Sequence, residues 1–272
     1  MKKFTLMMAA ALAVSVAGCA TTTNDTVAGV KRSQFLLLPA ASIDKMSSQA
    51  YTETLGKAKK KNTLNVDPAM LTRVRGISNR LIAQVGVFRP DAVKWAWEVN
   101  VEKNDQLNAY CMPGGKIMVL SGLVEKINAT DDELAAVIGH EIAHALREHG
   151  RERMSQAYVQ QFGLQALAAF ATGAAGGAAV QAAGIGSQLF FSLPNGREQE
   201  READKMGLEL AARAGFNPDA AVTLWQKMGA QSKSTPPEFF STHPANENRI
   251  AELKALTPKM RPLYEAAKAR NS

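Results

Sequence analysis

Thr130-Asp131-Asp132-Glu133-Leu134-Ala135-Ala136-Val137-Ile138-Gly139-His140-Glu141-Ile142-Ala143-His144 is the stretch that decides how this chain is read. Thr130 and Glu133 stand at the two positions of a capping box, which predicts a helix starting here. The apolar run from Leu134 to Gly139 predicts that this helix is buried. His140 and His144 are four residues apart, so they share one helix face about a turn from each other. Glu141 sits one step round from His140. Buried polar groups without partners are costly, and a metal ion would supply partners to this set. Neutral imidazoles suit Zn²⁺. A hydrolytic zinc keeps one position for water and lowers its pKa to about 7, so that a neighbouring carboxylate can take the proton. His140-Glu141-Ile142-Ala143-His144 is thus an HExxH pattern, the core of a zinc hydrolase with Glu141 as its base.

A third ligand must come from elsewhere. The chain has four histidines, His140, His144, His149 and His243. On a continuing helix His149 would lie about 180° round from His140 and point away. It is expected at a helix C-terminus, favoured there by the macrodipole, with Gly150 as an end signal. A second helical stretch starts at Arg197 and runs through Glu198, Glu200, Glu202 and Asp204 to Leu210. One carboxylate from it completes a His₂Glu site, and a second can hold a ligand histidine by its free ring N–H. Spacing alone does not separate Glu198, Glu200 and Glu202, and alternating Glu and Arg also suits a solvated face.

HExxH followed by Glu200-Arg201-Glu202-Ala203-Asp204, an ExxxD pattern, resembles the M48 family of zinc metallopeptidases. Three more segments match. Asn108-Ala109-Tyr110-Cys111-Met112-Pro113-Gly114-Gly115-Lys116-Ile117 is similar to the family's NAF-x-x-PGG-x-I, Ser121-Gly122-Leu123 to its SGLL, and His243-Pro244 with Arg249-Ile250 to its HP-x-x-x-x-RI. The resemblance implies a mainly helical α+β, zincin-like fold with a small sheet beside the active helix, and an endopeptidase with one Zn²⁺ per chain. It implies that His140, His144 and Glu200 are the zinc ligands and that Asp204 supports a ligand histidine. Glu141 becomes base and proton shuttle. His243 either stabilises the oxyanion or occupies the open zinc position in a latent state. Arg249 either holds that region or stabilises charge. Misfolded or unfolded envelope polypeptides are the implied substrates.

Trp95–Glu102 alternates as a strand, and Lys116–Leu120 forms another beyond the Pro113-Gly114-Gly115 turn. In the family such strands edge the cleft, which makes Asn108, Ala109, Pro113, Gly114 and Gly115 candidate substrate-binding residues. An exposed edge binds extended peptide through its main chain, with low sequence selectivity.

The N-terminus carries Lys2 and Lys3, then an apolar run from Phe4 to Ala17 that is too short for an ordinary membrane span. It ends in Val16-Ala17-Gly18-Cys19, which resembles a bacterial lipobox. The expectation is a signal peptide over 1–18, lipidation of Cys19, a tether over 19–40 and a catalytic domain over 41–272. Ala20 follows the lipidation site, which favours the periplasmic face of the outer membrane. With Cys19 lipidated, Cys111 has no intramolecular partner and is expected to be a packing residue.

Composition is compatible with one catalytic domain. Net charge is +7, and there is no clustered basic–aromatic pattern or Gly-rich phosphate loop, so nucleic acid is not an expected partner. Helices are predicted near Pro68–Val85, Pro218–Gln231 and Ala245–Leu256. The Ala/Gly-rich stretch around 155–193 is expected to form a helical lid or membrane contact. Two other functions stay open: an assembly factor or chaperone working with the outer-membrane protein assembly machinery, with a latent zinc site, or a lipoprotein subunit of a larger complex.

Overall fold

The computed structural model describes residues 19–171, 193–231, 239–243 and 248–271. The chain is a mainly helical α+β domain with one three-stranded sheet. Its elements in order are β1 (Cys19–Ala20), β2 (Gln34–Phe35), α1 (Ala40–Lys60), α2 (Pro68–Ile82), α3 (Val85–Phe88), a 3₁₀ turn (Pro90–Lys94), β3 (Glu98–Glu102), β4 (Ala109–Met112), β5 (Lys116–Leu120), α4 (Ser121–Glu125), α5 (Asp131–Leu146), α6 (His149–Ala171), α7 (Arg197–Arg213), α8 (Ala220–Gln231), α9 (Phe239–Thr242) and α10 (Arg249–Asn271).

The helix α5 forms where the capping box predicts it. Thr130 Oγ1 accepts from the Glu133 amide at 3.2 Å, and Glu133 returns the bond to the Thr130 amide at 2.9 Å. Every residue from Glu133 to Leu146 is buried. Its neighbour α7 crosses it backbone to backbone. A Cβ on Gly207 would stand 2.7 Å from the His140 nitrogen, and one on Gly139 would stand 3.0 Å from the Gly207 carbonyl oxygen. Two glycines facing each other let the axes approach, so the first turns of α7 bring carboxylates beside the histidines of α5. Gly207→Ala is expected to lower unfolding free energy by about 1–3 kcal/mol through overpacking. Denaturant unfolding measures it, and an unchanged midpoint would mean that α5 and α7 can part to admit a methyl group.

The sheet runs β3-β5-β4, with β3 parallel and β4 antiparallel to β5. Strand β5 splits its side chains by period two. Ile117 and Val119 enter the main core with α5, while Met118 and Leu120 pack with Tyr51 of α1 on the other face. Tyr51 also donates to the Ile117 carbonyl at 2.6 Å. Strand β4, which the alternation pattern did not predict, joins β5 through Pro113-Gly114-Gly115, where Gly114 and Gly115 hold φ of 77° and 82°. Strand β3 begins at Glu98, later than Trp95, because a 3₁₀ turn precedes it and the Trp97 indole donates to the Ala92 carbonyl.

Three expectations need correction. Helix α1 was not anticipated, and α10 starts at Arg249 and extends to Asn271 despite Pro258 and Pro262. The stretch expected as a tether is packed against the domain from Thr21 to Leu38. Thr26 Oγ1 and the Ala28 amide both donate to Glu209, at 2.8 and 2.6 Å, and Arg32 pairs with Glu152 and Glu202. The segment folds as a strap because Glu152 of α6, Glu202 and Glu209 of α7 and Arg147 after α5 capture its polar groups, while Ala28, Val30 and Leu38 enter the core clusters. The lid expectation rests largely on residues 172–192, outside the described residues, as is the signal peptide. No helix among the described residues is long and apolar enough to cross a membrane.

Candidate metal centre

Helix α5 presents His140 and His144 on one face, and α7 presents Glu200 opposite them. The two imidazole Nε2 atoms are 3.0 Å apart. His144 Nε2 lies 3.3 Å from Glu200 Oε1, and His140 Nε2 lies 3.5 Å from Oε2. His243, just after α9, enters the same cluster with Nδ1 at 2.9 Å from Glu200 Oε1. One ligand atom from each of the four lies within 4.8 Å of the others, and all four residues are buried.

This donor set fits a metal ion. Ligands about 2.0–2.1 Å from a tetrahedral zinc stand roughly 3.3 Å from one another, and the observed separations straddle that value. The chemistry fits too, since imidazole nitrogens and a carboxylate converge with their acceptors facing inward. Burial and Arg249 act against charging His140, but Asp204 and Glu200 outweigh them and hold it at about 9. Glu200 loses solvation by burial, yet bonds from His140, His144 and His243 keep it ionised far below the ordinary carboxylate range.

Around the cluster, Asp204 Oδ1 stands 3.0 Å from His140 Nδ1. Arg249 pairs with Asp204 at 2.6 Å and with Glu200 at 3.1 Å, and its guanidinium lies 3.4 Å over the Trp225 ring. Glu141 points into the adjoining cleft. Its Oε1 is buried and accepts no hydrogen bond, with His243 Nε2 at 3.4 Å. Burial raises its pKa above the ordinary carboxylate value, against the pull of His243 and His140. The Phe239 ring stacks on His243 at 4.2 Å, and Asn195 Nδ2 lies 3.1 Å from its Nδ1.

The cleft encloses about 280 Å³ and is lined by Glu141, His144 and His243 on one side and by β4 on the other. Asn108, Ala109 and Pro113 line it, whereas Gly114 and Gly115 lie in the turn and are not among its lining residues. Among the described residues strand β4 pairs with β5 alone, and its second edge lines the cleft. Cys111 is a free, buried thiol whose pKa is pushed up by burial. Cys19 lies in β1, paired with Phe35.

The reading of His149 needs correction. Helix α5 stops at Leu146, Glu148 takes φ of 51°, and His149 starts α6. The reversal turns its ring back, so that its Nδ1 lies 2.8 Å from His144 Nδ1. Gly150 sits inside α6 and ends nothing. Sequence reasoning also passed over Arg153 and Asn195, which bond to each other in the cleft wall. The Arg151-Glu152-Arg153 run gave no signal that one of its arginines faces inward.

Residues 68–257 match the profile of peptidase family M48. The chain belongs to peptidase family M48. Among its relatives, mitochondrial metalloendopeptidase OMA1 of Saccharomyces cerevisiae is 34% identical over 64% of this chain and 50% of its own length. The OMA1 of Schizosaccharomyces pombe is 31% identical, over 79% of this chain and 61% of its own. The beta-barrel assembly-enhancing protease of Escherichia coli K12 is 29% identical, over 72% of this chain and 41% of its own. The M48 chain thus spans about half the length of the curated relatives it matches. Its matched segment contains the whole metal-facing cluster and begins after the strap.

Proposed function

We propose that this M48 chain is a zinc-dependent endopeptidase of the bacterial cell envelope that cuts unfolded or misfolded proteins. The observation that carries it is the shared cleft: the edge of β4, the Glu141 carboxyl group, whose buried Oε1 accepts no hydrogen bond, and His144 of the His₂Glu donor set line the same space. In this reading His140, His144 and Glu200 would hold one Zn²⁺, which would supply Lewis-acid polarisation of a peptide carbonyl and of water. An extended substrate adds to the β4 edge through main-chain bonds, with Asn108, Ala109 and Pro113 beside it. Glu141 takes a proton from the attacking water and returns it to the leaving amine, a task helped by a carboxyl pKa raised by burial. Asp204 orients His140, and Arg249 balances Glu200 and Asp204.

His243 supports a resting form of the same enzyme. With Nδ1 2.9 Å from Glu200 Oε1, it would add a fourth donor to the set and would compete there with water or a substrate carbonyl. The likeness to beta-barrel assembly-enhancing proteases, together with the lipobox-like Val16-Ala17-Gly18-Cys19, supports a lipid-anchored place on the periplasmic face of the outer membrane. A latent site serving chaperone or assembly work is the second reading, and the position of His243 favours it.

The test uses the full chain in detergent with an unfolded, disulfide-free polypeptide. Internal cleavage should stop when a chelator strips the metal and return with one zinc per chain. Cleavage indifferent to chelation would end the metal mechanism. Zinc bound one per chain, with no cleavage by wild type or His243→Ala, would move the chain to the chaperone reading.

A further inference from the structure

Behind the metal-facing side of α5 lies a second buried polar cluster that the mechanism above does not use. Arg147 is fully buried, and its guanidinium lies 3.2 Å from each oxygen of Glu202. Arg32, from the strap, reaches the same carboxylate with Nε at 2.9 Å from Oε1 and Nη2 at 3.1 Å from Oε2. Its Nη1 and Nη2 also fork onto Glu152 at 2.5 and 2.9 Å. Gln34 and Gln199 donate to Glu152 as well, at 3.2 and 2.7 Å. Glu202 completes the set by standing 2.9 Å from His149 Nε2.

Hydrogen-bond roles then run in one direction. A carboxylate between two guanidiniums is ionised and only accepts. His149 Nε2 must therefore carry a hydrogen and donate it. In a neutral imidazole the other nitrogen is then an acceptor. His149 Nδ1 lies 2.8 Å from His144 Nδ1, so His144 must donate from Nδ1. That leaves a bare lone pair on His144 Nε2, the atom that faces His140 and Glu200. On the other ligand, His140, the Nδ1 atom has Asp204 Oδ1 beside it at 3.0 Å.

We propose that Arg32 and Arg147 act through Glu202 and His149 as positioning residues that fix His144 in its metal-binding tautomer and orientation, so that the strap following Cys19 is a working part of the metal site. Arg32 lies outside the segment that matches the family, 68–257. Hydrogen-bond partners behind a metal ligand change metal affinity by about 10–100-fold when removed, and this relay is such a partner set, two residues deep. The inference rests on His144 being a metal ligand.

The experiment measures zinc affinity of the full chain by competition with a chromophoric chelator, and the visible spectrum of the Co²⁺-substituted protein. Arg32→Gln is the main variant, because its side chain is one-third exposed (33%) and Arg147 still covers Glu202. It should bind zinc on the order of 10-fold more weakly and shift the cobalt bands. Arg32→Lys should recover part of the loss, since it restores charge but not the two-pronged contact. Glu202→Gln should lose on the order of 10–100-fold, but it leaves Arg147 buried beside a neutral group and can unfold, so Arg32 decides the matter. Thr26→Val loosens the strap at Glu209, away from the relay, and should keep wild-type affinity. Arg32→Gln with wild-type affinity and an unchanged cobalt spectrum would overturn the relay, and so would a Thr26→Val variant weakened as much as Arg32→Gln. A wild type that binds no zinc would instead remove the ligand reading of His144 itself.

Discussion

Glu141→Gln is expected to yield a folded protein that holds a full complement of zinc and cuts unfolded polypeptide about 10²–10⁴-fold more slowly. The amide has the shape of the carboxyl group, and the surroundings of Glu141 make no hydrogen bond to its Oε1 that the change would break. Packing and metal affinity should therefore stay near wild type. What disappears is the proton acceptor. Kinetics at saturating and limiting substrate, with metal content measured on the same samples, give the answer. A variant that keeps more than about a tenth of wild-type kcat/KM, with zinc bound, would show that Glu141 is not the base.

The second large effect belongs to Glu200. Glu200→Ala removes one donor from the cluster and also the charge that faces His140, His144, His243 and Arg249. Zinc should no longer copurify. The metal-free protein should lose about 3–5 kcal/mol of unfolding free energy, because Arg249 stays buried with Asp204 as its one remaining carboxylate. Glu198→Ala is the matched control, since Glu198 is exposed and pairs with Arg201 one turn on, so its loss should stay within about 0.5 kcal/mol. Equal zinc binding by Glu200→Ala and Glu198→Ala would remove Glu200 from the site.

That contrast also marks how far the sequence can be read. Helix α5 was legible to the residue at its start, because a capping box is local chemistry written in four consecutive positions. Glu198, Glu200 and Glu202 of α7 were not separable by spacing, since each lies at a helix position that either a core or a solvated face can use. The fold assigns them: Glu198 outward, Glu200 to the histidines, Glu202 to Arg147 and His149. Only the resemblance to M48 had singled out Glu200. His149 was misread because angular arithmetic assumed one continuous helix. A single left-handed residue, Glu148, breaks that assumption, and Glu is not a residue type that announces such a bend. The strap was read as loose for a similar reason. Its first residues are polar, its few apolar anchors, Ala28, Val30 and Leu38, are scattered between them, and the carboxylates that hold it lie more than a hundred residues away.

That distance matters for how the chain reaches its native state. Thr26 meets Glu209 across 183 residues of sequence, and Arg32 meets Glu202 across 170. Contacts of such span raise the contact order and slow folding, because a large loop must close before they form. The first part of the chain to follow Cys19 is therefore among the last to find its place. Docking of the strap waits for α7 to be made and seated on α5, so the arginine that completes the polar cluster arrives only when the helices bearing the metal ligands are already assembled. Hydrogen exchange followed during refolding should protect the amides of α5 before the Ala28 amide, which bonds to Glu209.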